Sequence, residues 1–491
     1  MVETGGPWRN GTRRSSGQRG TFESRATYDP DPTAHHFIPA RHRGVERGFP
    51  VRRRTTPRRG AMSLASRTAA RTPASEPPAS PDSQPRSLAA KLFLGLLFLR
   101  LVADAAFLPG GVQTLTNQAV IFGAIAAGVV LFLRKLNRAT LSASGLIFLV
   151  VFAWFLVAVG DAGFSQPLLS AALRFSALIG MAALAFTSVR ALGGPRFATN
   201  LLWVSFPFVL ALALGTVSRS PLLFSPGTGR AFGTFNHTNS AASFVAVFVL
   251  LCLYLLFRQR RLRYAFALVV GLFAVVGTLS LGGLSALAAG LVVMLVASNL
   301  SIGAKLGSLI AALMVGGIVI AGGALDSRLE QLETTVSFDD ASSATSTNSL
   351  DWRFYNWRRF LALWEERPLF GWGLGRGDYD LQPIGKQPHN EYVRALLETG
   401  IVGTTIIALA LAMVLVSLLA KKDVDHWGRA LAIAALTTLL VNAVASNTTS
   451  YAPTMMLAIA VWAAGSDRLQ ISSSDSIASG SVNPSSKRRA R

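Results

Sequence analysis

Cysteine is almost absent. The single Cys252 lies in an apolar run, so no disulfide can form within the chain, and it reads as a small packing residue. Charge is also scarce. Only 15% of the 491 residues are charged while 51% are hydrophobic, and the mean hydropathy of +0.42 excludes an ordinary soluble globular protein. Acidic residues are the scarcer sign, 25 against 47 Lys and Arg, for a formal net charge of +22. In a soluble protein that excess would suggest nucleic acid. Here the basic residues gather in the tails and in alternate short loops, which is the asymmetry of a membrane protein, so no nucleic-acid partner is expected. Histidines number six and show no ligand spacing, so no metal site is expected. A phosphate-binding Gly-Lys-Ser/Thr loop is missing, which speaks against ATP-driven transport, and a serine nucleophile elbow is missing as well. No internal repeat of the transporter kind is visible.

What is present is a succession of apolar segments close to the roughly 20 residues that cross a bilayer. They fall at 88–107, 118–134, 141–160, 167–188, 199–217, 237–257, 263–280, 283–299, 305–324, 391–419, 428–446 and 449–465. About twelve transmembrane helices are therefore expected, an all-α polytopic architecture. Arg134, Lys135 and Arg138, Arg190 with Arg196, Arg258 through Arg263, Lys305, and Lys421 with Lys422 fall on one side together with the basic C-terminal end, which makes both termini cytoplasmic. The expected organisation is a disordered basic cytoplasmic tail over 1–86, spans one to nine over 87–324, an external loop over 325–390, spans ten to twelve over 391–466, and a second disordered tail over 467–491. The first tail has no apolar core after its basic start and so does not read as a signal peptide. Its arginines read either as contacts to anionic lipid headgroups or as a solvated tail, or the chain starts at Met62.

The loop 325–390 cannot lie in hydrocarbon, where an irregular backbone finds no hydrogen bonds. Arg353, Arg358, Arg359, Arg376 and His389 are thereby gathered on one aqueous face. Asp351 through Glu366 reads as a helix capped by Ser349 or Asp351. Its apolar stripe of Leu350, Phe354, Trp357, Leu361 and Trp364 suits a membrane surface. Residues 339–349 read as mobile, and Asp339-Asp340 or Asp378 with Asp380 could hold a divalent ion, although acidic surface loops usually do not. Gly371-Trp372-Gly373-Leu374-Gly375 is a turn permitting close backbone approach. Pro388-His389-Asn390 opens the tenth span, where free backbone donors favour an anion and a neutral imidazole. A second external loop places Arg230 just before Asn236, His237 and Asn239. Two arginines on separate segments could clamp a pyrophosphate with their planar donor forks, although Arg230 could also snorkel to headgroups. Arg174 and Asp104, in or near spans, are assigned no role.

Three stretches then resemble one family. Gly229-Arg230-Ala231-Phe232-Gly233-Thr234-Phe235-Asn236-His237-Thr238-Asn239, Arg353…Trp357 through Pro368-Leu369-Phe370-Gly371-Trp372-Gly373, and His389-Asn390-Glu391-Tyr392 through Glu398-Thr399-Gly400 are similar, in that order, to segments of the O-antigen ligase and O-antigen polymerase superfamily of bacterial inner-membrane glycosyltransferases. One departure is that many members carry Ser-Arg-Gly where this chain reads Ser280-Leu281-Gly282. The resemblance implies a GT-C-like helical fold with short helices in the long periplasmic loop. It implies an inverting, metal-independent enzyme without a cofactor. Its donor would be an undecaprenyl-pyrophosphate-linked glycan and its acceptor lipid A–core for a ligase, or carrier-linked glycan for a polymerase. On this reading His389 is the general base, Arg353 and Arg230 stabilise the pyrophosphate, and Asn390, Asn239, Asn236 and Trp357 are expected to contact substrate. A polytopic transporter is the competing class, and a non-catalytic assembly scaffold a third.

Overall fold

The computed structural model describes residues 83–105, 108–135, 151–161, 163–323, 325–335, 337–338, 348–379, 381–383, 385–420 and 424–467, all within the unit Pro77–Arg491. The expected tails through residue 82 and from 468, the first half of the third apolar segment, and the Asp339-Asp340 pair fall outside them.

Among the described residues the chain is helical. The helices are α1 (Ser83–Ala103), α2 (Gly110–Lys135), α3 (Val151–Asp161), α4 (Gln166–Leu192), α5 (Gly194–Ser218), α6 (Thr238–Gln259), α7 (Leu262–Gly277), α8 (Leu281–Ala297) and α9 (Ile302–Ala321). After the polar loop come α13 (Glu391–Ala420), α14 (His426–Ala443) and α15 (Ala452–Gly465). Five helices are long and apolar enough to cross a membrane: Gly110–Leu131, Leu168–Leu192, Gly194–Ser218, Thr238–Gln259 and Glu391–Ala420. Four more are apolar and shorter. The chain is a helical membrane protein.

Burial explains the sequence patterns. Helix α6 is apolar on every side because it is enclosed by α5, α7, α8, α14 and α15, and Ala241 through Cys252 are buried without interruption. Elsewhere large apolar side chains point outward: Phe122 and Val129 on α2, Phe266 and Val269 on α7, Leu306 and Met314 on α9, Leu409 and Met413 on α13. An apolar exterior of this extent suits lipid.

The polar stretch between α9 and α13 carries α10 (Asp326–Glu333), α11 (Ser349–Glu366) and the single turn α12 (Arg376–Tyr379). One expectation is corrected here. The cap of α11 is Asn348, whose side chain accepts from Leu350 N at 2.9 Å, instead of Ser349 or Asp351. The inward face of α11 is centred on Asn356 and Phe360, both fully buried, with Phe360 packed on Val393 and Leu397 of α13. Of the expected stripe, Trp357 and Trp364 pack against the same cluster, while Leu350, Phe354 and Leu361 are half-buried.

Helix α13 is broken at Gly400 (φ 61°, ψ −169°). The break frees backbone groups, and the turn after Pro368 satisfies them. Trp372 N and Gly373 N donate to Leu397 O and Glu398 O at 2.8 and 2.9 Å, while Ile401 N and Val402 N donate to Pro368 O and Leu369 O at 2.8 and 3.1 Å. A side chain at Gly400 would place its Cβ 2.3 Å from Leu369 O, so only glycine allows this approach. Trp154 of α3 fastens the same turn, donating through Nε1 to Phe370 O and accepting through its carbonyl from Leu374 N. The proline–glycine turn of the loop and the Glu-x-Gly stretch of the next helix are therefore one structural unit.

Candidate functional site

The site is assembled by side chains with few intramolecular partners. Asn356 Nδ2 donates to Gln387 O at 2.9 Å, and Trp357 Nε1 donates to Pro388 O at 2.7 Å. These two bonds from consecutive residues of α11 hold the backbone immediately before His389. His389 itself adopts a left-handed conformation (φ 51°), which costs a non-glycine residue on the order of 1 kcal/mol. Its ring meets Trp352 edge-on at 5.3 Å, and its buried Nδ1 has no hydrogen-bond partner among the described residues.

Arg353 lies one turn before Trp357 on the same helix. Its half-buried guanidinium makes no hydrogen bond or ion pair among the described residues and contacts Trp352 through its ring, 5.7 Å from the centroid. Arg230, by contrast, is fixed. It sits on the second strand (Arg230–Ala231) of a two-residue hairpin with Phe224–Ser225, where Ser225 pairs with Arg230. Arg230 Nε donates to Thr278 O at 2.6 Å and Nη2 to Asn239 Oδ1 at 2.9 Å. Asn239 Oδ1 also accepts from Ser280 Oγ at 3.0 Å. Thr278 directly, and Ser280 through Asn239, thus support Arg230.

Electrostatics bring these elements together. Burial, then the charges of Arg353, His237 and Lys386, hold the His389 imidazole down to about 4, with Asp378 opposing. Burial, then Arg328 and Arg353, lower Arg230 to about 10. Burial lowers Arg353 as well, with Tyr451 opposing and Arg328 adding to the shift. His237 is lowered by burial, Arg230 and Arg353. Its Nδ1 accepts from Asn239 N at 3.1 Å as the cap of α6, which leaves the proton of the neutral ring on Nε2. The result is four cationic side chains, Arg230, Arg328, Arg353 and Lys386, with two imidazoles kept neutral, and no carboxylate is among the causes acting on Arg230 or Arg353.

Of the expected site residues, Arg353 acts electrostatically on both His389 and Arg230. The other four act as supports. Asn390 is buried and caps α13, accepting from Tyr392 N and Val393 N at 2.9 and 3.1 Å. Asn239 holds Arg230, Trp357 holds Pro388, and Asn236 Nδ2 reaches Asp104 Oδ1 at 3.3 Å at the end of α1. Among the other loop arginines, Arg376 pairs with Asp161 at 3.2 Å, while Arg358 and Arg359 lie on the exposed side of α11.

Arg328 and His237 were not singled out by the sequence, and neither was a buried ionic knot beneath the site. Arg174 Nη1 bonds Asp378 Oδ2 at 3.1 Å and Ser450 Oγ at 2.8 Å. Arg394 faces Asp378, Glu391 and Glu398 at 3.4 to 3.5 Å. Glu398 accepts from Gly377 N at 3.2 Å, and Glu391 from Thr449 N and Oγ1 at 2.7 and 2.8 Å. The knot ties α4, α12, the first turns of α13 and the turn at Thr448–Ser450, so Arg394 and Glu398 face protein instead of lipid. The detectable signal was the Glu391, Arg394, Glu398 spacing, one helix face of alternating charge.

Residues 266–408 match the O-Antigen ligase family model. The match takes in Arg328, Arg353, His389 and the Gly400 break, covers less than a third of the chain, and stops short of Arg230. It supports the O-antigen ligase/polymerase superfamily and, with it, a bacterial inner-membrane enzyme of polysaccharide biosynthesis. Comparison with curated proteins finds no match.

Proposed function

We propose that the chain transfers a glycan from an undecaprenyl-pyrophosphate carrier to an acceptor sugar of lipid A–core at the periplasmic face. The observation that carries this reading is that Arg353 Nε and His389 Nδ1 are buried without a partner among the described residues, while the charge of Arg353 acts both on His389 and on Arg230, from a segment more than a hundred residues away. The cluster is rich in cationic donors and short of acceptors, as expected of a site for an anion.

In this reading the donor pyrophosphate lies between Arg230 and Arg353. His389, neutral at physiological pH, takes the proton of the acceptor hydroxyl as its oxygen attacks the anomeric carbon. The bond from that carbon to the phosphate oxygen breaks, and the electron pair leaves with undecaprenyl pyrophosphate. Charge growing on the leaving group is met by the guanidinium groups, so arginine supplies the positive charge of the site. Attack opposite the leaving group inverts the anomeric configuration. Bound pyrophosphate also cancels part of the field that depresses His389, so the base strengthens when the donor is in place. The arrangement requires about twelve spans, both termini in the cytoplasm, and 325–390 outside.

The test is the surface glycan of a deletion strain complemented with wild type or His389→Ala at equal membrane abundance. Loss of long glycan from lipid A–core, with full-length chains on the carrier, identifies a ligase. A single repeat left on its normal acceptor identifies a polymerase. An unchanged profile, or full complementation by His389→Ala, contradicts the proposal.

A further inference from the structure

Helix α10 is oriented against its own charge pattern. Its carboxylates Asp326, Glu330 and Glu333 are exposed, while Arg328, its one basic residue, is turned inward with Leu329 and Gln331. A solvated surface helix would ordinarily leave a long cationic side chain in water. Arg328 Nε is buried without a hydrogen-bond partner, and Nη1 donates to the neutral Gln331 Oε1 at 2.7 Å within its own helix. No ion pair to Arg328 exists among the described residues, although three carboxylates share its helix.

Its placement is fixed by one residue. Asn348 Nδ2 donates to Gln331 O at 2.7 Å and to Thr335 Oγ1 at 3.1 Å at the end of α10, while its Oδ1 caps α11. Asn348 therefore links the helix of Arg328 to the helix of Arg353. The charge of Arg328 acts on both Arg353 and Arg230. Guanidinium groups from three segments thus act on one another, and no carboxylate is among the causes acting on Arg230 or Arg353. Like charges gathered at such cost imply an anion of more than one charge.

We infer that Arg328 is a third anion-binding arginine of the site, and that the ligand it serves is a diphosphate, with Arg328 adding the contacts that a monophosphate does not need. This rests on the proposed reading of Arg230 and Arg353 as the phosphate clamp and adds a specificity-determining residue to it.

The experiment is direct binding of undecaprenyl pyrophosphate and of undecaprenyl monophosphate to the full-length protein in lipid nanodiscs. Arg328→Ala is expected to weaken the pyrophosphate about tenfold or more, the loss typical of a hydrogen bond to a charged group, and the monophosphate by less than about threefold. Arg328→Lys should recover part of the loss. Gln331→Glu, which leaves Arg328 in place and gives it a competing carboxylate, should also weaken the pyrophosphate selectively. Wild-type affinity in Arg328→Ala and Gln331→Glu, with loss in Arg353→Ala, overturns the role of Arg328 while keeping the clamp. A wild-type protein that does not distinguish the two lipids overturns both.

Discussion

Replacing Arg353 by Met should stabilise the protein and abolish its activity. The two effects have one cause. Arg353 offers no hydrogen bond to lose among the described residues, and its ring contact to Trp352 at 5.7 Å is worth about 0.5–1 kcal/mol. Against this stands repulsion from Arg328 and Arg230. Like charges within about 10 Å of one another at an effective dielectric near 20 repel by on the order of 2 kcal/mol. Burial of the guanidinium adds to that cost, while methionine fills a similar volume with an apolar chain. The net gain is about 1 kcal/mol, an increase in Tm of about one to three degrees in a chain of this length. Thermal unfolding followed by tryptophan fluorescence at one fixed scan rate, alongside glycan transfer by the same preparation, measures both effects. Soluble pyrophosphate should raise the Tm of wild type more than that of Arg353→Met, since the ligand relieves the same repulsion. A variant that melts several degrees lower would refute the reasoning, because Arg353 would then be a structural residue whose loss of activity follows from its loss of fold.

The pH dependence of transfer separates the free protein from its complex. The free-protein limb in kcat/KM should be lost as pH falls through about 4, where His389 becomes protonated, while the limb in kcat should lie higher because bound pyrophosphate offsets the arginines. A kcat limb below the kcat/KM limb contradicts that assignment. Arg394→Leu leaves Asp378, Glu391 and Glu398 without their shared cation and should cost about 3–5 kcal/mol, seen as loss of folded protein in detergent extracts; unchanged melting would remove the knot from the stability of the site. Gly400→Ala should cost more than about 2 kcal/mol, since its Cβ would meet Leu369 O at 2.3 Å in a left-handed conformation. Wild-type melting of that variant would mean that the break in α13 is dispensable.

The helices and the cationic segments were legible because each is written locally. Apolar runs of spanning length mark α2, α4, α5 and α6, and the Arg230 and Arg353 stretches stand out as polar segments between such runs. What local pattern does not carry is direction. The stripe on α11 suggested a membrane surface, yet the helix turns Asn356 and Phe360 inward because α13 lies there. The asparagines read as contacts to substrate, and in the structure Asn390 caps a helix and Asn239 holds an arginine, bonds that depend on elements close in space but unrelated in pattern. Arg328 sits among three acidic neighbours on α10, and nothing in that local pattern marks it. Arg394 and Glu398 sat in an apolar run that the sequence extends without interruption, while the structure breaks it at Gly400.

The decisive measurement is transfer by the purified full-length protein from a synthetic undecaprenyl-pyrophosphate glycan to lipid A–core, comparing wild type with His389→Gln at equal melting temperature. Wild-type transfer with inverted anomeric configuration, and a loss of about a hundredfold or more in His389→Gln, is the expected result for a general base. Undiminished transfer by His389→Gln would contradict the mechanism, and no transfer by a well-folded wild type would contradict the function.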